Sequence, residues 1–176
     1  MSAPRSLQLN CKATGNGGQA ALNVTLPANG KTHMHLELDY KLHTYTFTDG
    51  SQAMGLFQID DNGIRQISLV DGANTAWFVN IANGKTDGAS AIAMQPSQDP
   101  TLDSWTHGVM DVEFSTTAGA VTFKWNATTM TAGLSNIRTT ADSVITTVGV
   151  NIELLSIDAT SPDVTMLIDN VTVDLL

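Results

Sequence analysis

The chain has one cysteine, eight basic residues, five prolines and few aromatics, and each scarcity removes a class of protein. With Cys11 alone there is no internal disulfide and no Cys/His framework for structural zinc. Eight Lys and Arg face seventeen Asp and Glu, a formal charge of -9 with no basic cluster, so nucleic acid is not expected as a partner. No stretch reaches the roughly 20 apolar residues of a spanning helix, so no membrane insertion is expected. Charged residues make up only 14% and hydrophobic ones 42%, which argues against both a disordered tail and a long helical protein. Met1 to Ser6 lack the charged start and apolar run of a secretory signal. An extracellular or cell-surface protein would then be represented here by a mature or excised domain, with neighbouring domains in a larger chain.

Thr, Gly and Asp are abundant, and only three of the seventeen acidic residues are Glu, a bias toward strands joined by tight turns. At 176 residues the chain suits a single domain, 1–176, with one buried core. Alternating patterns predict strands over Leu7–Cys11, Ala21–Leu26, His33–Leu42, Met54–Asp60, Ile64–Val70, Ala76–Ile81, Trp105–Ser115, Ala120–Trp125, Val144–Asn151 and Thr165–Leu175. Ten strands with no helical period predict an all-β, two-sheet antiparallel β-sandwich. Asp60-Asp61-Asn62-Gly63, between two apolar runs, is the clearest hairpin signal. Pro96–Ser104 has two prolines and no alternation and is expected to be a loop, and Thr128–Asp142 has no clear period; either could cover an open end of the sandwich. In the last strand Val164, Met166 and Ile168 share one face while Val171, Val173 and Leu175 have the opposite parity. A β-bulge at Asp169-Asn170 would restore a single buried face.

The cleanest amphipathic strand sets Met34, Leu36, Leu38, Tyr40 and Leu42 inward and His33, His35, Glu37, Asp39, Lys41 and His43 outward. Three of the four histidines thus share a face with two carboxylates, although a solvated strand face is the plainer account. His33 and His35 form a His-x-His pair, but no third residue completes a metal set. Tyr45 and Phe47 continue the polar face and are candidates for an exposed platform on which a sugar ring could stack. Trp77 alternates with Val79 and Ile81 and is ambiguous between core and ligand. Trp105 shares parity with Val109 and is expected in the core, as is Trp125 behind Val121 and Phe123. There is no Gly-x-Ser-x-Gly elbow, phosphate loop, dinucleotide fingerprint or His-Glu-x-x-His. Glu37/Asp39 and Asp111/Glu113 have same-face spacing, and a glycosidase needs two carboxylates flanking the scissile bond.

The strand Trp105-Thr-His-Gly-Val-Met-Asp-Val-Glu-Phe, the hairpin strand Ala120-Val-Thr-Phe-Lys-Trp-Asn, Val148-Gly-Val150 and the closing Ile168-Asp-Asn-Val-Thr-Val resemble the concanavalin A-like lectin/glucanase (laminin-G-like) superfamily. The resemblance implies a jelly roll of two curved sheets that binds glycans across its concave sheet or at loop edges. Glucanases of this superfamily carry Glu-x-Asp-x-x-Glu or Glu-x-Asp-x-Glu. Glu37-Leu-Asp39 matches the first two positions, with Lys41 or Leu42 where the second Glu would stand. Alginate-lyase-like members carry Gln-Ile-His, and this chain has Gln58-Ile59-Asp60. Both departures favour a noncatalytic member. Related sugar-binding jelly rolls hold a structural calcium through an Asp of the closing strand, and Asp169 is the matching position.

Together these residues predict a noncatalytic carbohydrate-binding or surface-adhesion module for an oligosaccharide or cell-surface glycan. Its binding residues would be His35, Glu37, Asp39, Tyr45 and Trp77. The rivals are a polysaccharide hydrolase or lyase using Glu37 and Asp39, and a structural or interaction domain without a glycan ligand.

Overall fold

The computed structural model describes residues 6–11, 18–44, 53–62, 64–72, 75–82, 89–93, 101–126, 128–129, 135–140, 144–156 and 164–176. Among these are thirteen strands and no helix. In chain order they are β1 (Leu7–Cys11), β2 (Gly18–Pro27), β3 (His33–Thr44), β4 (Ala53–Asp61), β5 (Ile64–Gly72), β6 (Thr75–Ala82), β7 (Ala89–Ala93), β8 (Thr106–Glu113), β9 (Gly119–Trp125), β10 (Thr128–Thr129), β11 (Ser135–Ile137), β12 (Thr147–Ser156) and β13 (Val164–Leu175). They form two antiparallel sheets. The seven-stranded sheet runs β1-β13-β3-β8-β9-β10, with β11 also on β9, and the six-stranded sheet runs β2-β12-β4-β5-β6-β7.

The predicted strands all exist, and the expected hairpin joins β4 to β5, with Asp61 paired to Ile64 and Asn62 at φ 45°. A left-handed Asn in a two-residue loop matches the right-handed twist of the flanking strands. The sequence pattern missed three strands. β7 is almost all Ala and Ser, while β10 and β11 are short and lie in Thr128–Asp142, a segment without a clear period that resisted a strand reading.

Alternation explains the core. Met34, Leu36, Leu38, Tyr40 and Leu42 of β3 are buried, as are Val121, Phe123 and Trp125 of β9. From the six-stranded sheet Phe57, Ile59, Ile67, Val148, Val150 and Ile152 meet them. Phe57 bridges the layers, packing 6.1 Å edge-on from Tyr40 and 5.8 Å from Phe123, whose ring meets Trp125 at 5.7 Å. Such aromatic pairs add about 0.5–1.5 kcal/mol beyond the area they bury.

The closing strand carries the expected bulge. Asp169 pairs with Asp39 and Thr172 with Glu37, so three steps on β13 face two on β3. Asn170 takes φ 53°, which absorbs the extra residue. Met166 and Ile168 before the bulge are buried, and Val173 and Leu175 after it pack against the same core.

Trp105 corrects the sequence reading. It is 46% exposed, because the inward residues of β8 are Thr106, Gly108, Met110 and Val112, which puts Trp105, His107, Val109 and Asp111 on the outer face. Gly108 sits inward because the Tyr40 ring lies against it, where a Cβ would meet Cε1 at 3.4 Å.

Candidate functional site

β3 lies between β13 and β8, so its polar residues occupy the middle of the outer face of the seven-stranded sheet. Register places His35 opposite Asp111 and Asp39 opposite His107 across the β3–β8 ladder. Cross-strand partners on one face lie within about 4.5–5.5 Å at Cβ, close enough for these side chains to bond directly. His35 Nδ1 stands 2.6 Å from Asp111 Oδ1, and its Nε2 3.4 Å from Glu37 Oε2. His107 Nε2 lies 3.2 Å from the other Glu37 oxygen, and its Nδ1 2.8 Å from Asp39 Oδ1. The Asn170 amide donates to Asp39 Oδ2 at 2.6 Å. The result is one continuous array, Asp111–His35–Glu37–His107–Asp39–Asn170, crossing three strands.

The Asp111 hydrogen bond raises the His35 pKa; burial opposes it, and Glu37 adds to it. Burial alone would raise the Asp39 carboxyl. The Asn170 and His107 hydrogen bonds, with the charge of His107, outweigh burial and hold it below its ordinary value.

At the end of the array Asp39, Trp105, Asp169 and Asn170 line a cavity of about 210 Å³. The exposed Trp105 ring forms one wall, and the Lys41 ammonium lies 5.6 Å from its centroid. Asp169 Oδ1 accepts the backbone N–H of Asn170 at 2.8 Å, which fixes the mouth of the bulge. Beyond it His43 Nδ1 meets Asp103 Oδ1 at 2.6 Å, and Asp103 donates its backbone N–H to Leu42 O. That pair ties the loop preceding Trp105 to β3.

The structure thus brings together His35, Glu37 and Asp39, and places Asp169 beside Asp39. Trp77 lies in β6, in the other sheet, apart from this group. Tyr45 lies outside the described residues. Trp105, His107 and Asn170 were not among the predicted binding residues. His107 is invisible as a partner of Asp39 until the β3–β8 register is known, since 68 residues separate them. Among the described residues no group of three or more His, Cys, Asp or Glu is arranged to hold a metal. Calcium takes six to eight oxygens. At Asp169, Asp39 is the carboxylate that shares the cavity, so an ion there would draw most of its ligands from solvent.

The Gln58-Ile59-Asp60 segment lies in β4 of the six-stranded sheet, on the opposite side of the sandwich from Glu37. Asp60 accepts from Gln58 Nε2 at 2.9 Å and from Asn151 Nδ2 at 3.1 Å. Gln58 is 8% exposed, and its Oε1 has no hydrogen-bond partner among the described residues. All four histidines, His33, His35, His43 and His107, stand on the seven-stranded sheet or beside it, so none serves this second face. Of the two tyrosines, Tyr40 is buried in the core, where burial pushes its phenol well above the ordinary range.

No family model and no curated protein matches this sequence. Solved structures do match its fold. The alginate lyase vAL-1 from Chlorella virus superposes with a TM-score of 0.65 at 10% identity, over 100% of this chain and 87% of that one. The cellulose induced protein Cip1 also gives 0.65 at 10% identity, over 99% and 81%. The catalytic domain of a glycoside hydrolase family 131 protein from Coprinopsis cinerea gives 0.53 at 15% identity, over 96% and 69%. The chain therefore has a two-sheet jelly-roll β-sandwich fold, the fold of these alginate lyase and glycoside hydrolase structures. At these identities the likeness is one of fold.

Proposed function

We propose that the protein is a noncatalytic carbohydrate-binding or surface-adhesion module of a larger extracellular protein, and that it takes a neutral saccharide at the Trp105 cavity. The observation that carries this reading is the exposed indole beside two carboxylates and an amide held at fixed positions. A pyranose would lay its axial C–H face on Trp105 and direct hydroxyls toward Asp39, Asp169 and Asn170. The acidic surroundings favour a neutral sugar over a polyuronate, whose carboxylates they would repel.

The test is a titration of the domain against a panel of neutral and uronate polysaccharides, followed by tryptophan fluorescence, with calcium and with chelator. Binding of a neutral glycan that Trp105→Ala abolishes in a folded protein supports the reading, and the chelator arm decides whether calcium at Asp169 takes part. Absence of binding to the whole panel would sink it and leave a structural or interaction domain.

A second reading, a polysaccharide lyase, draws on the alginate lyases among the structural neighbours and on buried Gln58 with its unpartnered oxygen. It suffers from Asp60 standing where the lyase-like motif has His, on a face that no histidine reaches. Unsaturated products released from alginate, and lost in Gln58→Ala, would replace the first reading with this one.

A further inference from the structure

In the array on the seven-stranded sheet, each of two imidazoles has both ring nitrogens directed at carboxylate oxygens: His35 between Asp111 and Glu37, His107 between Glu37 and Asp39. A neutral imidazole carries one N–H, whereas an imidazolium donates through both nitrogens. The rings can donate to all four carboxylate oxygens only when both are protonated; three of the contacts have hydrogen-bond geometry, and His107 Nε2 approaches Glu37 Oε1 at an ion-pair distance of 3.2 Å. We propose that this array is a proton-operated brace, intact in mild acid, that holds Asp39 and the Asn170 bulge in place beside Trp105. It rests on the saccharide reading for its purpose, but not for its existence.

Deprotonation of His107 leaves it one donor for two carboxylates, so it must release Glu37 or Asp39. Release of Asp39 frees the side chain that forms one wall of the cavity and the acceptor of the Asn170 amide. Glu37 has a special place because its two oxygens face the two rings, 3.4 Å from His35 Nε2 and 3.2 Å from His107 Nε2. The charged groups around the array are Asp174, which pairs with His35 from β13, Glu113 on β8, Lys124 on β9, His33 and Lys41 along β3, and Asp169 opposite Asp39. Asp174, Glu113 and Asp169 outnumber Lys124 and Lys41 among them, a field that favours the imidazolium of His35. The raised pKa of His35 agrees with this.

Glu37→Gln loosens the link between the brace and the proton. The Gln side chain has one NH2 and one oxygen, so it can donate to the free nitrogen of one neutral ring, which then keeps its N–H for its aspartate, while the other ring must still donate to the Gln oxygen. The experiment follows the Asn170 side-chain amide and the imidazole nitrogens by NMR from pH 5 to pH 8.5 in wild type and Glu37→Gln. Saccharide affinity is measured at both ends of the range.

In wild type the Asn170 amide shift should move with the histidine titration, and affinity should fall about threefold on going to pH 8.5, the scale of an exposed ion pair. In Glu37→Gln, where one ring no longer needs its second proton, both changes should shrink. An Asn170 signal that stays constant in the folded wild type, whether or not a saccharide binds, overturns the brace. A titrating signal with no saccharide bound at either pH keeps the brace and discards the saccharide reading.

Discussion

The bulge at Asn170 joins the end of the chain to the candidate site, and two substitutions at this position separate its backbone from its side-chain contribution. Asn170 holds φ 53° and donates its amide to Asp39 Oδ2 at 2.6 Å. Ala would lose the hydrogen bond and also carry the left-handed penalty, about 1–2 kcal/mol for an ordinary L-residue and less for Asn. Gly would lose only the hydrogen bond, because it adopts positive φ without steric cost. A hydrogen bond to a charged acceptor contributes about 1.5 kcal/mol when sheltered, and the exposure of Asn170 reduces that to about 1 kcal/mol or less. Asn170→Ala should therefore destabilise by about 2 kcal/mol and Asn170→Gly by about 1 kcal/mol. For a chain of this length those losses lower Tm by about 4–8 °C and 2–4 °C. Calorimetry or urea unfolding monitored by circular dichroism reads both. If Ala proves as stable as Gly, the backbone is not held left-handed by the β3–β13 register, and the account of the bulge is wrong.

Asp111→Asn should weaken the fold only in acid. A raised His35 pKa contributes stability that is fully present below its unfolded value near 6.5 and lost as pH rises through the folded value. The pair is partly exposed, so urea midpoints at pH 5.5 should register a loss of about 0.5 kcal/mol, vanishing by pH 8.5. Gly119→Ala should cost about 1–3 kcal/mol in chemical denaturation, since the new methyl would collide with Glu113 O and Thr139 Oγ1; a neutral result would refute the packing described there. Phe57→Ala should cost about 3–5 kcal/mol, because it empties the ring that joins the two sheets at Tyr40 and Phe123; unfolding midpoints unchanged from wild type would contradict that central position.

What could be read from the sequence was what alternation writes plainly. β3 and β9 place an apolar residue at every second position, and the parity slip around Asp169-Asn170 is visible without any partner strand. β8 was legible as a strand but not in its facing. Its inward row includes Thr106 and Gly108, and its outward row includes Trp105 and Val109, so hydrophobicity points the wrong way at that end. The deciding contact is Gly108 against the Tyr40 ring, a relation between two strands. The candidate site was half legible for a similar reason. Glu37, Asp39 and His35 share one strand and were found by spacing, whereas Asp111 and His107 join them only through register, and Asn170 only through the bulge. β7, β10 and β11 are held largely by edge pairing, which leaves little hydrophobic pattern in their own residues.

The two outer faces of the sandwich differ in chemistry, and that difference bears on what each can do. With neutral imidazoles the array on the seven-stranded sheet has three negative charges, and with both protonated it has one. Either state repels a polyuronate over about the 10 Å Debye length of 0.1 M salt. His35 is hydrogen-bonded to two carboxylates, and the raised pKa that the Asp111 bond gives it favours its protonated form over the one a base requires. On the six-stranded sheet Gln58, Asp60 and Asn151 offer amides and a carboxylate, with no histidine and no cation bonded to Asp60 among the described contacts. What the described side chains do combine, at Trp105, is an open aromatic plane with oxygen acceptors and an amide donor at fixed distance. That arrangement is the one the proposed saccharide site would use.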